Sequence, residues 1–227
     1  MQAQDATTVY LLKLWPKIEA NKNRIIAVAA AIAVVIAVAW IFSVQYQQKE
    51  VAAGEALTQL IVSQVAQPEA YFKIAAENPG TPAGQRAWLQ GAAMLFSENK
   101  FAEAQTQFQK FLDEHPDNEF SGHAALGVAA SLDAQGKTDL AADAYQRVVR
   151  NFSDATAANI AKLALARINE AQGKDNNAMI NYQEVAQASS IQSLRQEAMF
   201  GAMNLKNKMP AAPASTNAPA APFHLSQ

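Results

Sequence analysis

Hydrophobic and polar positions alternate in two regimes along this chain. From Ile25 to Val44 no side chain is charged, and Ser43 carries the only hydroxyl. Beyond Gln45 the apolar residues thin to every third or fourth position, the period of amphipathic helices, with Pro, Gly and Asn between blocks. The first regime predicts one apolar helix. Residues 25–44, at about 1.5 Å each, span about 30 Å, the thickness of a bilayer's hydrocarbon core. The second regime predicts a run of short helices, so the fold class expected is all-α.

The flanks of the apolar run give it a direction. Lys13, Lys17, Lys22 and Arg24 precede it, while only Lys49 follows closely, which predicts a cytoplasmic N-terminus and an extracytoplasmic remainder. Trp15 lies on the near side and Trp40 and Tyr46 near the distal end, where amphipathic aromatics favour the headgroup layer. A cleaved signal peptide would pass the same hydropathy test. Here the run exceeds a typical signal core, and the polar stretch 45–50 separates it from the small-residue site Val51-Ala52-Ala53, so an uncleaved anchor is expected. Ala29, Ala33 and Ala37 fall on one face, but alanine is common enough in the span for this to be filler.

Behind the span the sequence repeats itself. At a shift of 37 residues the pairs Asn99-Lys100, Gly136-Lys137 and Gly173-Lys174 align. Ala92, Ala129 and Ala166 fall into register, as do Ala104, Ala141 and Ala178. So do Phe108, Tyr145 and Tyr182, then Phe111, Val148 and Val185. Several columns at one constant shift mark a solenoid array. Each period reads as two helices: 85–97 with 101–114, 122–135 with 138–151, and about 156–172 with 175–187. The Asn or Gly of the turn supplies the left-handed residue that ends a helix, and His115-Pro116 stops the helix before it. Tyr71, Ile74 and Pro79, one period before Phe108, Phe111 and Pro116, predict an earlier, degenerate unit with helices near 51–65 and 69–77, the first able to continue from the span. A last amphipathic helix, about 191–206, has no partner and would cap the stack.

The alanine columns let the two helices of a unit approach, and the aromatic column fills the space between units. The domain boundaries expected are a basic cytoplasmic segment 1–24, a transmembrane helix 25–44, a repeat domain 45–208 and a Pro/Ala-rich disordered tail 209–227. Phe223-His224-Leu225 at the end of that tail is a candidate docking peptide.

Trp88, Ala92, Leu95, Ala104, Phe108 and Pro116 stand at the spacings of the tetratricopeptide repeat, which the first unit resembles closely. Later units depart from it: Ala125 and Lys162 replace the early aromatic, Asn169 the large residue, and Ser153 and Ser190 the proline. The family's usual period is about 34 residues, so loops such as 117–122 carry the excess. The resemblance implies three to four helical hairpins plus a capping helix. One span, a basic flank and a short extracytoplasmic array together resemble the YfgM-like proteins of bacterial inner membranes, over roughly residues 10–207. That resemblance implies an ancillary factor of the SecYEG translocon, with translocon subunits, periplasmic chaperones or client proteins as partners. The alternative is a structural subunit of a cell-envelope assembly or division complex.

Composition narrows the chemistry. With no cysteine, thiolate catalysis, disulfides and Cys-based metal sites are excluded. A formal net charge of −2 gives no basic field for nucleic acid. His115 and His123, with Asp113, Glu114, Asp117 and Glu119 nearby, lack the spacing of a helix-face ligand pair, so no metal is expected. The stretch 78–84 is rich in Pro and Gly but lacks the Gly-Lys-Ser/Thr of a phosphate loop. No nucleophile–base order appears, so neither an enzyme, a cofactor nor a small-molecule substrate is expected. Function should rest on a surface. By analogy with the repeat family, a peptide-binding groove would be lined by Arg86, Leu89 and Phe96, then His123, Leu126 and Asp133, then Leu163 and Arg167. The competing reading is that Leu89, Leu126 and Leu163 pack under the cap helix.

Overall fold

A computed structural model describes residues 21–63, 67–152 and 155–208. The expectations for residues 1–20 and for the tail 209–227 lie outside the described residues. Among those described there are nine helices: α1 (Lys22–Ser63), α2 (Pro68–Glu77), α3 (Pro82–Ser97), α4 (Phe101–Glu114), α5 (Ser121–Ala134), α6 (Thr138–Asn151), α7 (Ala155–Ala171), α8 (Asp175–Ala188) and α9 (Gln192–Lys208). The all-α expectation holds. The chain divides into two compact units, one of α1 with Lys73–Ala87 and one of Gln67–Phe72 with Trp88 onward.

In the first unit α1 is one continuous helix of 42 residues. It carries the apolar run and continues through the residues expected to open the first repeat. Its most apolar stretch has a mean hydropathy of 3.0 and is uncovered by the other described residues, and α1 is long and apolar enough to cross a membrane. Apolar side chains lie all round it, from Ile26 and Val34 to Trp40 and Phe42, each more than half exposed. A helix apolar on every face has no side suited to water.

One face of α1 beyond the apolar run meets the turn before α3. The Tyr46 hydroxyl donates to the Gly80 carbonyl at 3.1 Å, and Glu50 Oε2 accepts from the Ala83 backbone N–H at 2.8 Å. Ala53, one turn further along α1, is buried. The start of α3 explains why a carboxylate belongs there. Thr81 Oγ1 accepts from Gly84 N–H at 3.1 Å, Pro82 takes the first helical position, where its missing N–H costs nothing, and Glu50 satisfies the next orphan donor while complementing the helix dipole. Gly84 must be glycine: a Cβ there would lie 2.2 Å from the Asn78 carbonyl oxygen.

The second unit is an antiparallel stack of hairpins. α4 packs on α5, α5 on α6, α6 on α7, α7 on α8 and α8 on α9. The first helices α5 and α7 also meet each other, and α7 meets α9. The columns read from the sequence are the reason. Ala92, Ala129, Ala104, Ala141, Ala166 and Ala178 are fully buried, and Phe111, Val148 and Val185 lie beside them with no exposed surface. At the turns Asn99, Gly136 and Gly173 take φ of 60, 74 and 68°. The next residue closes each helix end in the same way. Lys100 N–H reaches Leu95 O at 2.9 Å, Lys137 N–H reaches Leu132 O at 3.0 Å, and Lys174 N–H reaches Asn169 O at 2.8 Å. These are the long-range bonds of the Schellman motif, which needs one left-handed residue before it.

The aromatic column joins successive units by ring-to-backbone packing. A Cβ on Gly127 would lie 2.6 Å from the Phe108 ring, and one on Gly201 2.5 Å from the Tyr182 ring. The earliest unit slips by one residue. Tyr71 holds its column and is buried, but the ring lying against the next helix, at Gly91, belongs to Phe72.

Candidate functional site

The expected groove residues separate into an open set and a covered set. Leu89 and Phe96 on α3 and Leu126 on α5 are partly buried and pack against one hydrophobic cluster containing Ala92, Leu95, Ala125 and Val128. Phe96 is steadied across its turn by Phe101, edge to face at 5.1 Å between ring centres. His123 is exposed and Asp133 half-buried on α5. Arg86 is exposed on α3, within the segment that belongs to the first unit.

Leu163 and Arg167 differ. Leu163 is 3% exposed and sits in a second cluster with Tyr182, Ala198 and Leu205, beneath α9. Arg167 pairs with Glu197 of α9. The cap helix therefore covers Leu163, while Arg167 stays more than half exposed beside Glu197. The reading in which the leucines pack under the cap describes Leu163, while Leu89 and Leu126 belong to the other cluster and retain exposed surface.

Polar contacts hold α9 in this place. Glu170 accepts from Lys208 Nζ at 2.7 Å and from the Tyr182 hydroxyl at 3.1 Å. The Lys208 hydrogen bond, aided by the Tyr182 hydroxyl, holds the Glu170 carboxyl below the usual range although partial burial opposes this. Burial, then the Glu170 bond, pushes the Tyr182 phenol up to about 12. The same carboxylate raises Lys208. Sequence reading missed this cluster because Glu170 and Lys208 are 38 positions apart and leave no local signature.

His115 lies in a ring cluster. Its ring centre is 5.0 Å from that of Phe111 and 6.2 Å from that of Trp88. Among the described residues no group of three His, Asp or Glu side chains is placed to hold a metal ion. Leu89, Phe96 and Leu126 thus offer partly exposed apolar surface, and α5 also carries the exposed His123 and the half-buried Asp133.

Antiparallel hairpins whose first helices meet in succession define an α-solenoid of helical-repeat type, a class that presents surfaces to other proteins. Residues 18–198 match the tetratricopeptide repeat-like domain, and the chain belongs to that family. The matched stretch takes in the apolar part of α1 as well as the hairpins. No curated protein matches the chain. Such domains are typically interaction scaffolds without enzymatic activity.

Proposed function

We propose that this protein is a single-pass, membrane-anchored docking scaffold whose repeat domain, residues 45–208, works outside the cytoplasm of a bacterial cell. Residues 25–44 are the transmembrane segment, in the inner membrane, and 1–24 the cytoplasmic flank. Its partners are proteins: SecYEG translocon subunits, the periplasmic chaperones around them, or the clients they pass on. The observation that carries the reading is α1, one helix with an apolar stretch able to span a bilayer that runs on to meet the turn before α3 through Tyr46 and Glu50. The four basic residues before the span support the orientation. The translocon assignment rests on the resemblance to YfgM-like proteins. Leu89, Phe96 and Leu126 form the docking surface, bordered by His123 and Asp133.

Two measurements test this. Protease added to sealed cells permeabilised only at the outer membrane should digest the repeat domain; full protection would overturn the orientation. A photo-crosslinking residue in place of Leu126 should capture translocon subunits or periplasmic chaperones in intact cells. The Phe96→Ser, Leu126→Ser double variant should lose that capture with helicity unchanged by circular dichroism. Capture of outer-membrane assembly or division proteins instead would overturn the translocon assignment in favour of an envelope-complex subunit.

A further inference from the structure

The last helix has the plan of a first helix without the second helix that should follow it. α9 (Gln192–Lys208) lies one 37-residue period after α7 (Ala155–Ala171), with both ends in register. Its residues therefore fall into the columns of the hairpins. Met203 takes the column of Ala92, Ala129 and Ala166, which have no exposed surface. Met199 takes the column whose members reach the second helix of their own hairpin: Trp88 meets Phe111 of α4, and Lys162 pairs with Glu184 of α8. In α9 the same two positions are 54% and 61% exposed, and the adjacent Phe200 is 60% exposed. The end of a solenoid is ordinarily closed by a polar outer face. This one carries three large apolar side chains.

The stretch that should supply the second helix does not read as one. The counterpart of α8 would fall at 212–225, where Pro219 and Pro222 are unsuited to a helix interior. A helix that completes the unit then comes from another chain, and the open face shows which. Gln192, Gln196, Met199, Met203 and Asn207 follow one another at intervals of three or four, so they form one stripe, and all five are exposed. The stripe has methionines at its centre, amides at both ends and no charge. It gives no purchase to a charged partner. Its complement is another uncharged stripe with an apolar centre and amide ends, and the same face turned end for end is one. That pairing sets Met199 of each copy beside Met203 of the other, and Gln196 towards Asn207, with amides able both to donate and to accept. Unbranched methionine side chains adapt to such a contact. The pairing is also antiparallel, the direction in which first and second helices run throughout this stack.

We infer that α9 is a homodimer interface: two copies of the chain pair their α9 helices antiparallel about a two-fold axis, each filling the place of the second helix that the other's last hairpin lacks. The contact is isologous, the commonest form of closed assembly. It is separate from the docking surface, whose Leu89, Phe96 and Leu126 lie on α3 and α5.

The test uses the full chain in detergent micelles. Sedimentation of the native chain over a concentration series should show a monomer–dimer equilibrium. The Met199→Lys, Met203→Lys double variant sets like charges across the axis and should weaken pairing at least tenfold, with helicity unchanged because both side chains are exposed. The Met199→Glu, Met203→Glu variant should fail alone in the same way, and mixing the two variants should restore the dimer. That rescue requires the two faces to meet each other, so neither misfolding nor pairing through α1 can imitate it. The chain has no native cysteine, so single cysteines report the contact directly. With a short bismaleimide, Met203→Cys should give a product of twice the chain mass, and Leu140→Cys on α6, also exposed, should not. A stop after Lys208 should leave pairing intact; its loss would give the face to residues 209–227 and overturn the inference. A native chain that stays monomeric at every concentration, a mixture of the charged variants that does not pair, or equal crosslinking at both cysteines would overturn it as well.

Discussion

The first hairpin, α3 with α4, and the third, α7 with α8, share a backbone plan and differ in what fills it. Both turn on a left-handed residue, Asn99 or Gly173, and both bury an alanine, Ala104 or Ala178, where their helices cross. In the first hairpin Trp88 meets Phe111 edge to face at 5.9 Å, and Lys110 Nζ lies 5.2 Å from the centre of the Trp88 ring. Two periods later the same two positions are Lys162 and Glu184, joined by an ion pair at 2.7 Å. Leu95 is buried in the core; its counterpart Asn169 lines an open cleft. A repeat backbone fixed by small residues and turn geometry tolerates this exchange, because each hairpin draws its stability from neighbours on both sides. The first hairpin fills this space with large side chains, and the third leaves it open.

The sharpest way to break the comparison is to transplant the third hairpin's residue into the first. Leu95→Asn removes a buried apolar side chain and leaves an amide without assured partners, at a cost of about 3–4 kcal/mol. Urea denaturation of the full chain in micelles measures it, and a loss under about 1 kcal/mol would show that the first hairpin can also open a cleft. Next comes Trp88→Ala, which removes a half-buried indole and its ring contacts at a cost of about 2–3 kcal/mol. The equivalent Lys162→Ala breaks only a solvent-accessible ion pair and should change stability by less than about 0.5 kcal/mol. Equal effects of the two would mean that the columns are not physically equivalent.

The reverse transplant is smaller and of opposite sign. Asn169→Leu should stabilise the chain by about 1 kcal/mol by covering apolar wall and removing a half-buried amide from a core column. It should leave the helix end intact, since the bond there uses the Asn169 backbone carbonyl.

How much of this was legible from the residues depends on the range of the interaction. The turn column was readable because a left-handed residue is a local requirement, and Asn99, Gly136 and Gly173 meet it. The buried alanines were readable because their spacing repeats. The ring register of the earliest unit was not: Tyr71 and Phe72 are adjacent aromatics, and the offset of the next helix decides which one meets Gly91. Leu163 was placed on the groove by its position in a first helix, but α9, the helix without a partner, packs over it, while the neighbouring Arg167 stays exposed. The bonds of Tyr46 to Gly80 and Glu50 to Ala83 join residues more than 30 positions apart, and no pattern within α1 announces them. Asn169 and Lys162 were visible as departures from the repeat; that they line one cleft is a property of the packing.

The smallest expected effect separates the hairpins by pH. The first is held by rings, whereas the third is tied to α9 through Glu170, whose carboxyl is held below its ordinary range chiefly by Lys208 and also by Tyr182. A carboxyl depressed in the folded state contributes stability that is fully present above its unfolded value, about 4.3, and is lost as pH falls through the folded value. Acidification below that point should therefore loosen α9 before it affects α3 and α4. Hydrogen exchange, corrected for the intrinsic rate at each pH, should show protection in α9 falling earlier than in α4. In Glu170→Gln the amide cannot ionise, so this early loss should disappear and α9 should start from lower protection at neutral pH. The exposed Lys208 ammonium keeps the effect small, because solvent screens the pair. An acid response of α9 that survives the substitution unchanged would mean that the cap is held by Leu205 and Ala198 packing alone.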